Sequence, residues 1–154
     1  MVKEVIDYNK YENYIRVGHT GTVTGKDEWG QKIYSCSDLA DFPTPSSLGI
    51  TLHDVDKDPF TDLLGYTHRN RVRHDVYDVE FSYNVLSEND LQYILKRLDP
   101  EWIYVELIDK KTKQPRVHKM YASDKNITVW RTWKDSNGEW HENFIDHSFS
   151  LVEE

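Results

Sequence analysis

The residues best suited to hold an ion are Asp54, Asp56 and Asp58, in the stretch Asp54-Val55-Asp56-Lys57-Asp58. That spacing puts oxygens at the first three positions of an EF-hand-type loop. Such a loop needs glycine at its sixth position for a sharp turn and a bidentate glutamate at its twelfth. Pro59 and Gly65 stand there instead, so the stretch reads as a solvated acidic loop. Seven histidines raise the question of a transition metal. His141 and His147 share a face of a regular strand, but six residues of strand span roughly 20 Å, too far for one ion. His68 and His74 have the same separation, and no HxH or HxxxH pair exists. No metal and no other cofactor is expected. Cys36, within Ser35-Cys36-Ser37, matches no activating motif for a thiolate nucleophile. Gly18, Gly21, Gly25 and Gly30 are too widely spaced for a phosphate loop, and no Gly-Lys-Ser/Thr follows. Carboxylate pairs occur by accident in an acidic chain. The reading is of a protein that is not an enzyme.

One cluster differs in kind. Tyr66-Thr67-His68-Arg69-Asn70-Arg71-Val72-Arg73-His74 is a basic island in an acidic chain. In extended form Arg69, Arg71 and Arg73 point one way. Such a row can protect a sheet edge from pairing with another sheet. It can also dock onto an acidic surface, because Arg forms bidentate bonds with carboxylates. The nearest acidic surface is another copy of this chain. Nucleic acid is a third reading, which three arginines support weakly. The candidate partner-binding residues are therefore Arg69, Arg71 and Arg73. Five tryptophans add a second candidate surface, with Trp130, Trp133 and Trp140 around one hairpin and Trp29 and Trp102 elsewhere. Trp130 and Trp133 face opposite sides of a regular strand, which predicts one in the core and one exposed as a stacking or docking platform.

The elements that must position these groups change texture near residue 75. Residues 5–17 allow a short helix through Tyr8, Tyr11 and Tyr14, with a strand over 14–17. The stretch 20–24 suits hairpins, 33–36 a short strand, and 41–47 a proline-fixed loop. Residues 48–55 alternate as a strand, and 56–75 read as a long excursion. Residues 76–85 alternate with period two, placing Tyr77, Val79, Phe81, Tyr83 and Val85 on the buried face. Ser87 then caps a helix whose apolar stripe is Leu91, Ile94, Leu95 and Leu98, stopped by Pro100. Strands follow over 102–108, 117–121, 127–133 and 140–152, the last pair joined through Asn137-Gly138. Val79, Phe81, Tyr83, Leu91, Ile94, Leu95, Leu98, Val105 and Leu107 form the predicted core. Short connections make neighbouring strands antiparallel. The expected fold is mainly β (α+β): an antiparallel β-sandwich or strongly curved sheet with one packed α-helix and a long protruding loop.

The chain of 154 residues is long enough for one domain, 1–154. Its formal net charge of −8 argues against a general nucleic-acid binder or a peripheral membrane protein. No apolar run approaches the ~20 residues of a membrane span. Residues 1–8 carry no apolar signal core, and a single cysteine excludes an internal disulfide and fits a reducing compartment.

Several stretches together resemble a family of small structural proteins from the tail-gene clusters of phages and prophages of Gram-positive bacteria, a family of no assigned activity. They are Pro45-Ser46-Ser47-Leu48-Gly49-Ile50-Thr51-Leu52, Thr67-His68-Arg69-Asn70, the strand 77–83 leading into Leu86-Ser87-Glu88-Asn89-Asp90-Leu91, the pair 103–109 and 117–121, and the ending 140–152. The likeness covers residues 45–152, leaving 1–44 as an N-terminal elaboration. It implies a virion tail component, assembled in the host cytoplasm as a homo-oligomeric ring in the tail tube, baseplate or tail-completion layer. Its implied partners are other copies and adjacent tail proteins, with no membrane. Loop 56–75 would order against neighbouring subunits. An acidic lumen would let DNA pass without specific binding, since carboxylates repel phosphate. The competing expectation is a binding module whose exposed Trp and Tyr grip a glycan or receptor.

Overall fold

Long alternating strands dominate because β-branched and aromatic residues recur every second position over most of the chain. The computed structural model describes residues 15–28, 30–56, 60–68 and 71–154. In chain order the described elements are β1 (Arg16–Gly18), β2 (Gly21–Lys26), β3 (Lys32–Cys36), β4 (Ala40–Asp41), β5 (Ser47–Asp56), β6 (Phe60–Thr61), β7 (Thr67–His68) and β8 (Arg71–Leu86). Helix α1 (Glu88–Arg97) follows, then β9 (Ile103–Ile108), β10 (Pro115–Ala122), β11 (Asn126–Lys134) and β12 (Trp140–Glu153). The helix expected over 5–17 falls, up to residue 14, outside the described residues, as does Trp29.

The main sheet is antiparallel and runs β4-β1-β9-β10-β12-β8-β5. Two of its strands serve two neighbours on one edge. β12 pairs with β11 along its first part and with β10 at its end, while β8 lines its other edge. β10 pairs with β9 on one edge, and with β3 and β12 on the other. A sheet that splits in this way folds over itself, and the body is sandwich-like rather than a closed barrel. β1 and β3 come from the expected N-terminal elaboration, yet they pair with β9 and β10 inside this same sheet.

The core sits between the sheet and α1. Phe81 and Phe149 stack 4.9 Å apart, and Phe42 meets both edge-on. Phe42 comes from the proline-rich segment, which the Tyr83 hydroxyl holds by donating to the Pro43 carbonyl at 2.8 Å. The helix opens as expected: the Ser87 hydroxyl accepts the Asp90 N–H at 3.3 Å, with Glu88 and Asp90 in the first turn and Lys96 and Arg97 in the last. Leu91, Ile94 and Leu98 are buried, whereas Leu95 is half-buried. Leu95 sits at the margin of the stripe, beside Trp140 and Phe144, where the sheet no longer covers the helix.

Alternation in β8 is broken at both ends. Asp75 has φ +53°, an extra residue opposite β5, and its N–H donates to Asp54 Oδ1 at 3.2 Å. Next to this bulge Val76, expected on the wet face, is buried. At the other end Val85, expected inside, is 73% exposed while Leu86 is buried. Across from it β12 holds Asp146 at φ +51°, where its pairing with β11, though not with β8, shifts register. Aspartate tolerates this left-handed region better than most side chains, and each bulge resets which face looks inward.

The excursion 56–75 is largely hairpin. β5 and β8 continue into it, pairing Val55 with Arg73 and Asp56 with Arg71. Beyond them β6 and β7 pair Phe60 with His68 and Thr61 with Thr67. Asp54 and Asp56 are thus strand residues, which removes the loop geometry an EF-hand requires; Asp58 lies outside the described residues.

Candidate functional site

The far end of the β5–β8 hairpin is an organised tip. Asp62 builds it: Oδ1 accepts the N–H groups of Leu64 at 2.9 Å and Tyr66 at 3.0 Å, and Oδ2 pairs with His68 Nε2 at 2.8 Å. The Tyr66 carbonyl accepts the Asp62 N–H, and the Asp62 carbonyl accepts the Gly65 N–H. Gly65 takes φ +83°, a conformation that favours glycine. Phe60 stacks on the His68 ring at 4.6 Å. These bonds hold the Asp62 carboxyl below its usual range, the His68 contact contributing most. The frame displays apolar side chains to solvent. Phe60 is 60% exposed, Tyr66 67%, Leu64 82% and Leu63 fully exposed. The tip therefore presents a small apolar group held outward by an ordered turn.

The basic island of the sequence runs from this tip into β8. Arg69 falls outside the described residues, and Arg71 pairs through its backbone with Asp56. The Arg73 guanidinium bonds the Glu154 carbonyl and lies 3.8 Å from Glu153 Oε1. Arg73 therefore clamps the arm to the C-terminal strand of its own chain. The sequence reading gave all three arginines one role, but register across the sheet, which brings residues 73 and 153 together, is invisible to local spacing.

A second cluster closes the β11–β12 hairpin, whose turn is the expected Asn-Gly one, with Gly138 at φ +83°. His141 Nε2 pairs with Asp135 Oδ2 at 2.7 Å, and Nδ1 with Glu88 Oε2 at 3.0 Å. Glu88 also accepts the Glu142 N–H. Both ring nitrogens face carboxylates, which favours the imidazolium and pushes its pKa up to about 9, the Glu88 bond contributing most. Both carboxylates are lowered in turn. The bridge ties the hairpin turn to the first turn of α1. Asp135, Glu139 and His141 also bring ligand atoms within 4.8 Å of one another, the one such group of three among the described residues. Sequence reasoning paired His141 with His147 along the strand and missed this cluster. The available signal was the turn: with Trp133 opposite His141, residues 135, 139 and 141 must converge.

The tryptophans do not divide between core and surface as expected. Trp130 is 65% exposed and Trp140 69%, while Trp133 is half-buried against His141 at 5.6 Å. Among the described residues β11 pairs with β12 alone and is exposed along almost its whole length, so neither of its tryptophans reaches the core. Cys36 donates to Asp38 Oδ1 at 3.0 Å, and burial pushes its thiol pKa up, the reverse of nucleophile activation.

Residues 37–153 match the model of a family of unknown function, DUF6711, and the chain belongs to that family. The matched span includes the arm, the helix and the whole of β12, and begins after β3. No curated protein matches the chain.

Proposed function

We propose that this protein is a structural component of a phage tail that self-assembles into a ring through its β5–β8 arm. The observation that carries the reading is the tip: a turn rigidified around Asp62 that presents Leu63 and Leu64 to solvent. A ring repeats one interface in every protomer, so a small apolar contact recurs and decides assembly. Arg73 anchors the arm, and in this reading Arg69 and Arg71 engage carboxylates of the next copy or of an adjacent tail protein. The −8 charge supports a lumen that passes DNA without holding it. No helix among the described residues is long and apolar enough to cross a membrane.

Mass photometry and electron microscopy of the purified protein test this. Wild type should form closed rings, and Leu63→Ser with Leu64→Ser should remain monomeric. Replacing Arg69, Arg71 and Arg73 together by Ser should weaken association most at low salt, where ion pairs are least screened. Wild type that stays monomeric alone and with neighbouring tail proteins would overturn the reading. Saturable glycan binding abolished by Trp130→Ala or Trp140→Ala would replace it with the binding-module reading.

A further inference from the structure

We infer, resting on the assembly role proposed for the arm, that the groove between α1 and the start of β12 receives the arm tip of a second copy of this chain. The groove, of about 250 Å³, is lined by Leu91, Leu95, Trp140 and Phe144 together with Glu88 and Glu142. Leu91 and Phe144 are buried, Leu95 is half-buried and Trp140 is largely exposed. The helix here passes beyond the cover of its own sheet and leaves an apolar wall facing solvent.

Strand β8 separates this groove from the tip. The tip lies beyond the first residue of β8, Arg71, while the groove lies at its last, where Phe144 pairs with Leu86 and α1 begins at Glu88. Sixteen residues of strand span about 50 Å. A chain therefore cannot seat its own Leu63 and Leu64 in its own groove without dismantling the sheet, and the two apolar surfaces can meet only between copies. Contact between two different patches repeats head to tail, the geometry that closes into a ring. The chemistry matches on both sides. Leu63 and Leu64 stand out from the tip, and the groove offers leucine and aromatic side chains, so docking removes apolar surface from water on each partner. The Asp62 bonds already fix the turn, so docking requires little further ordering. Charge agrees as well. Glu88 is engaged by His141, but Glu142 accepts only the Thr132 hydroxyl, at 3.3 Å, and meets no cation among the described residues. The chain leaves the tip through Arg69 and Arg71, and a guanidinium is a fitting partner for that carboxylate.

Mass photometry and disulfide trapping of the full chain test the pairing. Trp140→Ser alters an exposed side chain and should raise the concentration needed for assembly by about tenfold or more, the scale of a lost interface anchor. The Leu63→Ser, Leu64→Ser variant keeps its groove, and Trp140→Ser keeps its tip. Mixed at a concentration where neither assembles alone, the two should give dimers and nothing larger. In a Cys36→Ser background, Leu64→Cys combined with Gln92→Cys, on the groove wall, should yield disulfide-linked species larger than dimers. Leu64→Cys combined with Val23→Cys, on β2, should not. Full assembly of Trp140→Ser at the wild-type concentration, with no link between positions 64 and 92, would overturn the groove as acceptor and leave arm-driven assembly standing. Assembly lost in Trp140→Ser without that link would give the groove to another occupant and overturn the pairing equally. A wild type that stays monomeric would overturn the contact together with self-assembly.

Discussion

The body and the arm are built from the same strands and held by different forces. In the body, β8 and β12 bury Val79, Phe81, Phe149 and Leu151 against the helix, and each of these is at most 2% exposed. In the arm, β8 leaves that cover, and order comes from ladder bonds, the Asp62 turn and the Arg73 clamp. Hydrophobic burial scales with area and is worth about 25 cal/mol per Å². Exposed ion pairs are worth about 0–1 kcal/mol. A protein can thus carry a stable body together with an arm whose tip leaves Leu63 and Leu64 in solvent.

That contrast can be broken first in the body. Phe81→Ala removes the centre of the aromatic stack and should cost about 3–5 kcal/mol in chemical denaturation. A loss within the range of surface substitutions would mean that the stack does not hold the body together. The helix gives a graded test. Ile94→Ala should cost about 2–5 kcal/mol, and Leu95→Ala clearly less because its side chain is half-exposed. Equal losses would show that the helix packs more deeply than its stripe implies. Ser87→Ala should cost about 1 kcal/mol by removing the cap.

The His141 bridge is sharper in pH than in size. Its pKa in the folded protein is raised from 6.5 to about 9, so its stabilisation is full below pH 6.5 and is lost as pH rises through about 9. The stability gap between wild type and His141→Gln should be constant from just above the usual carboxylate range up to pH 6.5, close towards pH 9, and close again at acid pH as Glu88 and Asp135 protonate. A gap independent of pH across that window would refute the imidazolium. The smallest effect belongs to the arm: Leu63→Ser and Leu64→Ser should each change stability by no more than about 0.5 kcal/mol. A larger loss would mean that the tip packs on its own body.

Much of the body was legible because its signals are local. The Ser87 cap, the apolar spacing of Leu91, Ile94 and Leu98, the alternation from Tyr77 to Tyr83 and the Asn137-Gly138 turn each act within a few residues. Eight of the nine predicted core residues are buried, and the ninth, Leu95, sits where the helix passes the edge of its cover. Residues 56–75 read as an excursion because their apolar content is sparse, yet ladder bonds across β5 and β8 do not require an apolar repeat.

What the chain by itself determined, then, is the capped helix, the Asn137-Gly138 turn and the buried face of the central strand from Tyr77 to Tyr83, since propensity, capping and period-two patterning are properties of neighbours in sequence. What only the tertiary structure decided is everything that depends on register between distant strands. It turned Arg73 toward Glu153 and brought His141 between Glu88 and Asp135. It also buried His118 beneath Tyr77 with neither ring nitrogen hydrogen-bonded. The physical reason is that a shift of one residue in pairing exchanges every neighbour of a side chain while leaving its own sequence context untouched.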